Sequence, residues 1–265
     1  MILSNYCRRF AGAMVVAMAM GSMSIASRAA DASDAPQKLE DMVRAFDEMA
    51  IKVNGSRASE LARWTGPIYL AIADTPGMER VAAEAEALVR NLAQLARVPV
   101  HRVAANDPRR NFSIVGSKRD GNGGTPCLSQ VDWDEAGRLT AVEVRLNLTN
   151  YGRLTRCANH EIVHGFGLRA HPDSAFSVLS YKYSTQAQLT DTDRVVLAAL
   201  YDQRVPATGS MDTTTRVACQ VIAEKLRMSA DAAAPICERR SAPPRGGLFA
   251  SLRGDGNAPQ ENIGQ

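Results

Sequence analysis

Three of the four histidines in this 265-residue chain fall within twelve positions, in the run His160-Glu161-Ile162-Val163-His164-Gly165-Phe166-Gly167-Leu168-Arg169-Ala170-His171. On a helix His160 and His164 stand one turn apart and point the same way, so both imidazoles can reach one ion at about 2.0–2.1 Å. Glu161 adjoins the first histidine and faces the open coordination position, where a carboxylate serves as general base and then as general acid. Gly167 can take a positive φ, end the helix and turn the chain back, which makes His171 the candidate third ligand. Three neutral imidazoles leave Zn²⁺ its full charge and one free position, the arrangement that lowers the pKa of a coordinated water towards 7. The expected chemistry is metal-assisted hydrolysis with Glu161 moving the proton. Two other donors stand nearby: Asp173 as an alternative third ligand, and Cys157, three residues before His160 on the same helix face.

The elements that must position these residues are legible in the hydropathy pattern. A helix is expected over residues 154–167. Before it, residues 139–148 alternate, with Val142, Val144, Leu146 and Leu148 on one side and Glu143, Arg145 and Asn147 on the other, the mark of a half-exposed strand that could border a substrate cleft. Upstream, apolar Leu39, Met42, Val43, Phe46 and Met49 at helical spacing give an amphipathic lead-in over residues 36–64. A short strand over 68–72 precedes a long helix over 78–97, and two further strands follow over 98–104 and 111–115. His101 falls in the first of these and reads as structural or surface exposed. Residues 120–124 form a Gly-rich loop and 172–184 another. Helices are expected over 190–201, opened by Thr190 with Asp193 at its third position, and over 213–228. The fold class is α+β, with a small mixed twisted sheet, an active-site helix and a backing helix. By this reading residues 65–204 form the catalytic domain, 205–239 a C-terminal helical hairpin and 240–265 a disordered tail.

Composition narrows the function classes. Apolar residues make up 45% and charged residues 22%, ordinary values for a globular protein. Arg8, Arg9 and Arg28 are the only charged residues of the first twenty-nine, so the net charge of +3 lies there and the remainder balances at 28 against 28. A neutral body argues against nucleic-acid binding by counterion release. The apolar run that follows Arg8-Arg9, with small residues after it, reads as a signal peptide over residues 1–29, which leaves an exported chain with no membrane anchor after cleavage. Cys127, Cys157, Cys219 and Cys237 then remain, an even number for an oxidising compartment, either periplasm or extracellular space. The pairing favoured is Cys127 with Cys157 and Cys219 with Cys237, since the second pair would close a compact helical hairpin.

Together with residues 177–181 and the helix Leu189-Thr190-Asp191-Thr192-Asp193 to Leu200-Tyr201, the histidine run resembles the catalytic core of the metzincin zinc endopeptidases. It also resembles an exported bacterial family of unassigned activity in which the histidines are often replaced. The similarity covers roughly residues 68–201, and only His160 to Gly167 is a specific motif. It implies a cleft whose floor is the helix of His160, Glu161 and His164, below a sheet. It also implies Tyr181, or alternatively Tyr183, as a hydrogen-bond donor to a tetrahedral oxyanion. Two positions depart from that family. The third ligand there follows the glycine by three residues, which is Ala170 here, with His171 one further on; and Leu179 stands where the methionine of the turn beneath the metal is expected. The resulting expectation is an exported zinc endopeptidase that acts on peptide or protein substrates, with the strand over 142–148 pairing the substrate. The alternative is a non-catalytic exported binding module on the same scaffold.

Overall fold

The computed structural model describes residues 26–53, 56–117, 127–149, 154–182 and 188–241. Most of the expected signal peptide, the Gly-rich loop, Tyr183 and the tail after Ser241 lie outside the described residues.

The first described element is α1 (Ala26–Phe46), which runs straight into a π turn (Asp47–Ile51). From Ala35 onward the chain forms one compact unit. The lead-in stripe is buried as its spacing requires, with Leu39, Val43, Phe46 and Met49 fully enclosed. Pro36 lies inside α1 rather than before it, so the helix begins ten residues earlier than expected. After the π turn, β1 (Lys52–Val53) and β2 (Ser56–Arg57) form a short antiparallel ribbon.

The main sheet holds β3 (Ile68–Ile72), β4 (Val100–Arg102), β5 (Phe112–Ser117), β6 (Cys127–Trp133) and β7 (Leu139–Asn147) in the order β4-β3-β5-β7-β6. All neighbours are parallel except β6 and β7, which pair antiparallel. The fold is α+β with a mixed sheet. α2 (Glu79–Ala96) buries Val81, Ala85, Val89 and Leu92 along one stripe. α3 (Leu154–His164), the histidine helix, packs on α2, β6 and β7. α4 (Asp191–Leu200) starts with the expected cap: the Thr190 side chain accepts from Asp193 N–H, and the Asp193 carboxylate accepts from Thr190 N–H. α5 (Met211–Lys225) and α6 (Ala230–Ser241) form the C-terminal hairpin.

One expectation needs correction. Residues 142–147 belong to β7, which is interior: β5 and β6 occupy its two edges, so it cannot take up a substrate strand. Its alternation reports a solvated sheet face, not a free edge. The edge strands are β4 and β6, and β6, the one packed on the histidine helix, is the strand the sequence reading passed over. The favoured cysteine pairing is the one observed: the Cys157 sulfur is bonded to Cys127, with Cα atoms 5.8 Å apart, which removes its competing use as a metal donor. Cys219 and Cys237 form the other disulfide, with Cα atoms 5.5 Å apart. No helix among the described residues is long and apolar enough to cross a membrane.

Candidate metal centre

α3 ends at His164, and Gly167 turns the chain away with φ at 89°. A side chain there would be strained by φ alone, and a Cβ would also collide with the Ala62 carbonyl. At Gly165 a Cβ would lie 2.8 Å from the Phe112 ring and 2.9 Å from Val142, so a glycine lets the helix end approach the sheet. The carbonyls freed at this terminus are occupied: Gly165 accepts from the Trp64 indole at 2.9 Å and Phe166 from the Tyr201 hydroxyl at 3.2 Å. Burial pushes the Tyr201 hydroxyl pKa up, keeping it a donor.

The turn delivers His171 to the helix histidines. The three Nε2 atoms form a triangle, 3.0 Å from His160 to His171, 3.2 Å from His164 to His171 and 3.3 Å from His160 to His164. Three nitrogens bound at about 2.05 Å to one tetrahedral ion would stand about 3.3 Å apart, so the triangle has the dimensions of a metal face. Nδ1 of His160 lies 3.0 Å from the Val178 carbonyl, and Nδ1 of His164 lies 2.6 Å from the Leu168 carbonyl. Carbonyls only accept, so each Nδ1 carries the proton and each Nε2 presents a lone pair to the centre. Two facing lone pairs repel until a cation lies between them. The donor set fits a divalent metal ion: these three histidines form a group able to hold one.

Burial favours the neutral form of His164 and His171. Burial, then the field of His160, lowers the His164 pKa to about 4; burial, then His164 and His160, lowers that of His171 to about 4. Asp173 is exposed and outside the group, acting on His171 only through its charge.

Glu161 lines a cavity of about 340 Å³ together with His164, His171, Tyr181 and Arg169. Its Oε2 accepts from the Ser129 hydroxyl of β6 at 2.6 Å. The sequence reading missed Ser129, although a signal was present. Once Cys127 is joined to Cys157, the next residue on the same strand face and the residue one helical turn further on must be neighbours. The Tyr181 ring stacks on His171 at 4.0 Å between centroids and is 70% exposed at the cavity mouth. Burial, then the charge of Glu161, raises its hydroxyl pKa, so it stays protonated.

Beneath the histidines lies a buried polar brace. Asp193, 1% exposed, accepts from the Ser177 hydroxyl at 2.5 Å and from Val178 N–H at 3.1 Å. The carbonyl of the same Val178 orients His160. Leu179, also buried, fills the floor of this turn. No family model matches the chain, and no curated protein is significantly similar to it. The class that fold and site define is an α+β protein with three histidines so grouped beside a cleft that they could hold a metal ion.

Proposed function

We propose that the protein is an exported zinc-dependent endopeptidase of metzincin-like type. The observation that carries this reading is the Nε2 triangle of His160, His164 and His171 with Glu161 beside it, next to a sheet edge that is unpaired among the described residues. His160, His164 and His171 would hold the ion, which would supply an acidified water and a polarised carbonyl oxygen. Glu161 accepts the proton of the attacking water and delivers it to the departing amine, so the amide gains one water and splits into acid and amine. Ser129 fixes the carboxylate through Oε2. Tyr181, protonated and at the cleft mouth, would donate to the developing oxyanion in this reading.

The substrate strand pairs with β6, whose outer backbone groups have no sheet partner among the described residues. Leu128, Trp133 and Tyr181 are large apolar side chains exposed along this cleft, and they suit an extended peptide with apolar side chains. The two disulfides support a site of action in an oxidising compartment, periplasm or extracellular space.

The test is elemental analysis of the oxidised chain with casein or peptide-library digestion. The wild type is expected to hold one zinc and cleave. His164→Ala is expected to lose the metal, and Glu161→Gln to keep it while losing hydrolysis. Retained zinc with no cleavage by the wild type would overturn the enzyme reading in favour of a binding module.

A further inference from the structure

The spacing from Gly167 to His171 is one residue longer than in the family the motif resembles, yet His171 closes the triangle. The extra length must be held somewhere, and the contacts of the intervening residues show where. Arg169 N–H donates to the Met49 carbonyl at 2.7 Å, and Ala170 N–H to the same oxygen at 3.3 Å. The Arg169 side chain is only 4% exposed. Its Nη2 donates to the carbonyls of Glu60 at 2.6 Å and Ala50 at 3.2 Å, and Nη1 lies 3.5 Å from the Glu60 carboxylate. The guanidinium also stands 5.3 Å over the Trp133 ring on β6.

Met49 and Ala50 sit in the π turn that ends α1. At a helix terminus the last carbonyls have no partner within the helix. Both are taken here by the ligand loop.

We propose that Arg169 is a positioning residue of the metal centre, docking the ligand loop on the π turn and thereby setting His171 in range of the other two histidines. The lead-in is then a working part of the site. This inference rests on the metal-binding reading but not on hydrolysis, so its test is metal binding itself.

Zn²⁺ and Co²⁺ titrations are run on the oxidised wild type, Arg169→Met, Arg169→Lys, His171→Ala and the double variant Arg169→Met/His171→Ala. Loss of an outer partner of a ligand histidine weakens metal binding about 10- to 100-fold, and Arg169→Met is expected in that range with an altered Co²⁺ visible spectrum. A lysine reaches fewer acceptors than the guanidinium fork, so Arg169→Lys is expected to lose less. In the His171→Ala background, Arg169→Met should cost nothing more, because the residue acts through the missing ligand.

Equal losses in both backgrounds would mean that Arg169 serves the fold alone and would overturn the proposal. Unchanged affinity in both Arg169 single variants would do the same while leaving the metal centre intact. Failure of the wild type to bind either ion would overturn the metal reading and the proposal with it. If Arg169→Met does not fold, Arg169→Lys in the two backgrounds gives the same comparison.

Discussion

Glu161 shares a 2.6 Å hydrogen bond with Ser129, and a carboxylate fixed in this way has less freedom to leave the cleft. A hydrogen bond to a charged group contributes about 1.5–3 kcal/mol. Ser129→Ala is therefore expected to lower kcat by about tenfold or more with metal content unchanged, read by steady-state kinetics beside elemental analysis. The histidines carry a pH signature of their own. In the metal-free chain, His164 and His171 have pKa values lowered from 6.5 to about 4, so the unfolded chain takes up protons that the folded chain refuses. Their contribution to stability is present above pH 6.5 and declines as the pH falls towards 4. Urea midpoints of the metal-free protein should be lower at pH 5 than at pH 7.5; an equal or higher midpoint at pH 5 would contradict this. His160, Glu161 and His164 were legible because helical spacing alone puts them together. His171 was legible too, through the turn that Gly167 makes after the helix, whereas Ser129 needed a disulfide across two elements that local pattern does not encode.

Among the elements, α4 shows how much a single side chain can anchor. Asp193 accepts from Ser177, Val178 and Thr190 while buried, and it joins the helix start to the turn that orients His160. Asp193→Ala leaves those donors unpaired and should destabilise the protein by about 2–4 kcal/mol. Chemical denaturation measures the loss, and a shift below 1 kcal/mol would mean that the brace is dispensable. The cap itself was readable, since Thr190 and Asp193 have the spacing of a capping box. β6 was not. Cys127-Leu-Ser-Gln-Val-Asp-Trp133 is half polar because an edge strand is wetted on more than one side, so its pattern fades on the strand that lines the candidate site. β7, doubly flanked, displayed the cleaner alternation and drew the substrate role to itself.

Across the whole molecule, the two disulfides join segments that are 30 and 18 residues apart in sequence. Loops of that length correspond to about 3–4 kcal/mol of stabilisation each through the unfolded chain. Reduction should lower the thermal midpoint by several degrees, measured with and without reductant; an unchanged midpoint would show that the bridges constrain little. The first bridge also ties β6 to α3, so its loss should reduce catalysis more than loss of the second, as single Cys-pair replacements would reveal.

The chain has two tryptophans, and they occupy opposite environments. Trp64 is 4% exposed with its indole bonded beneath α3, whereas Trp133 is 38% exposed on the cavity wall. Emission from the first should stay blue and shielded from quenchers, leaving the second as a native optical reporter. An occupant of the cleft can thus be followed by iodide quenching, with no label attached.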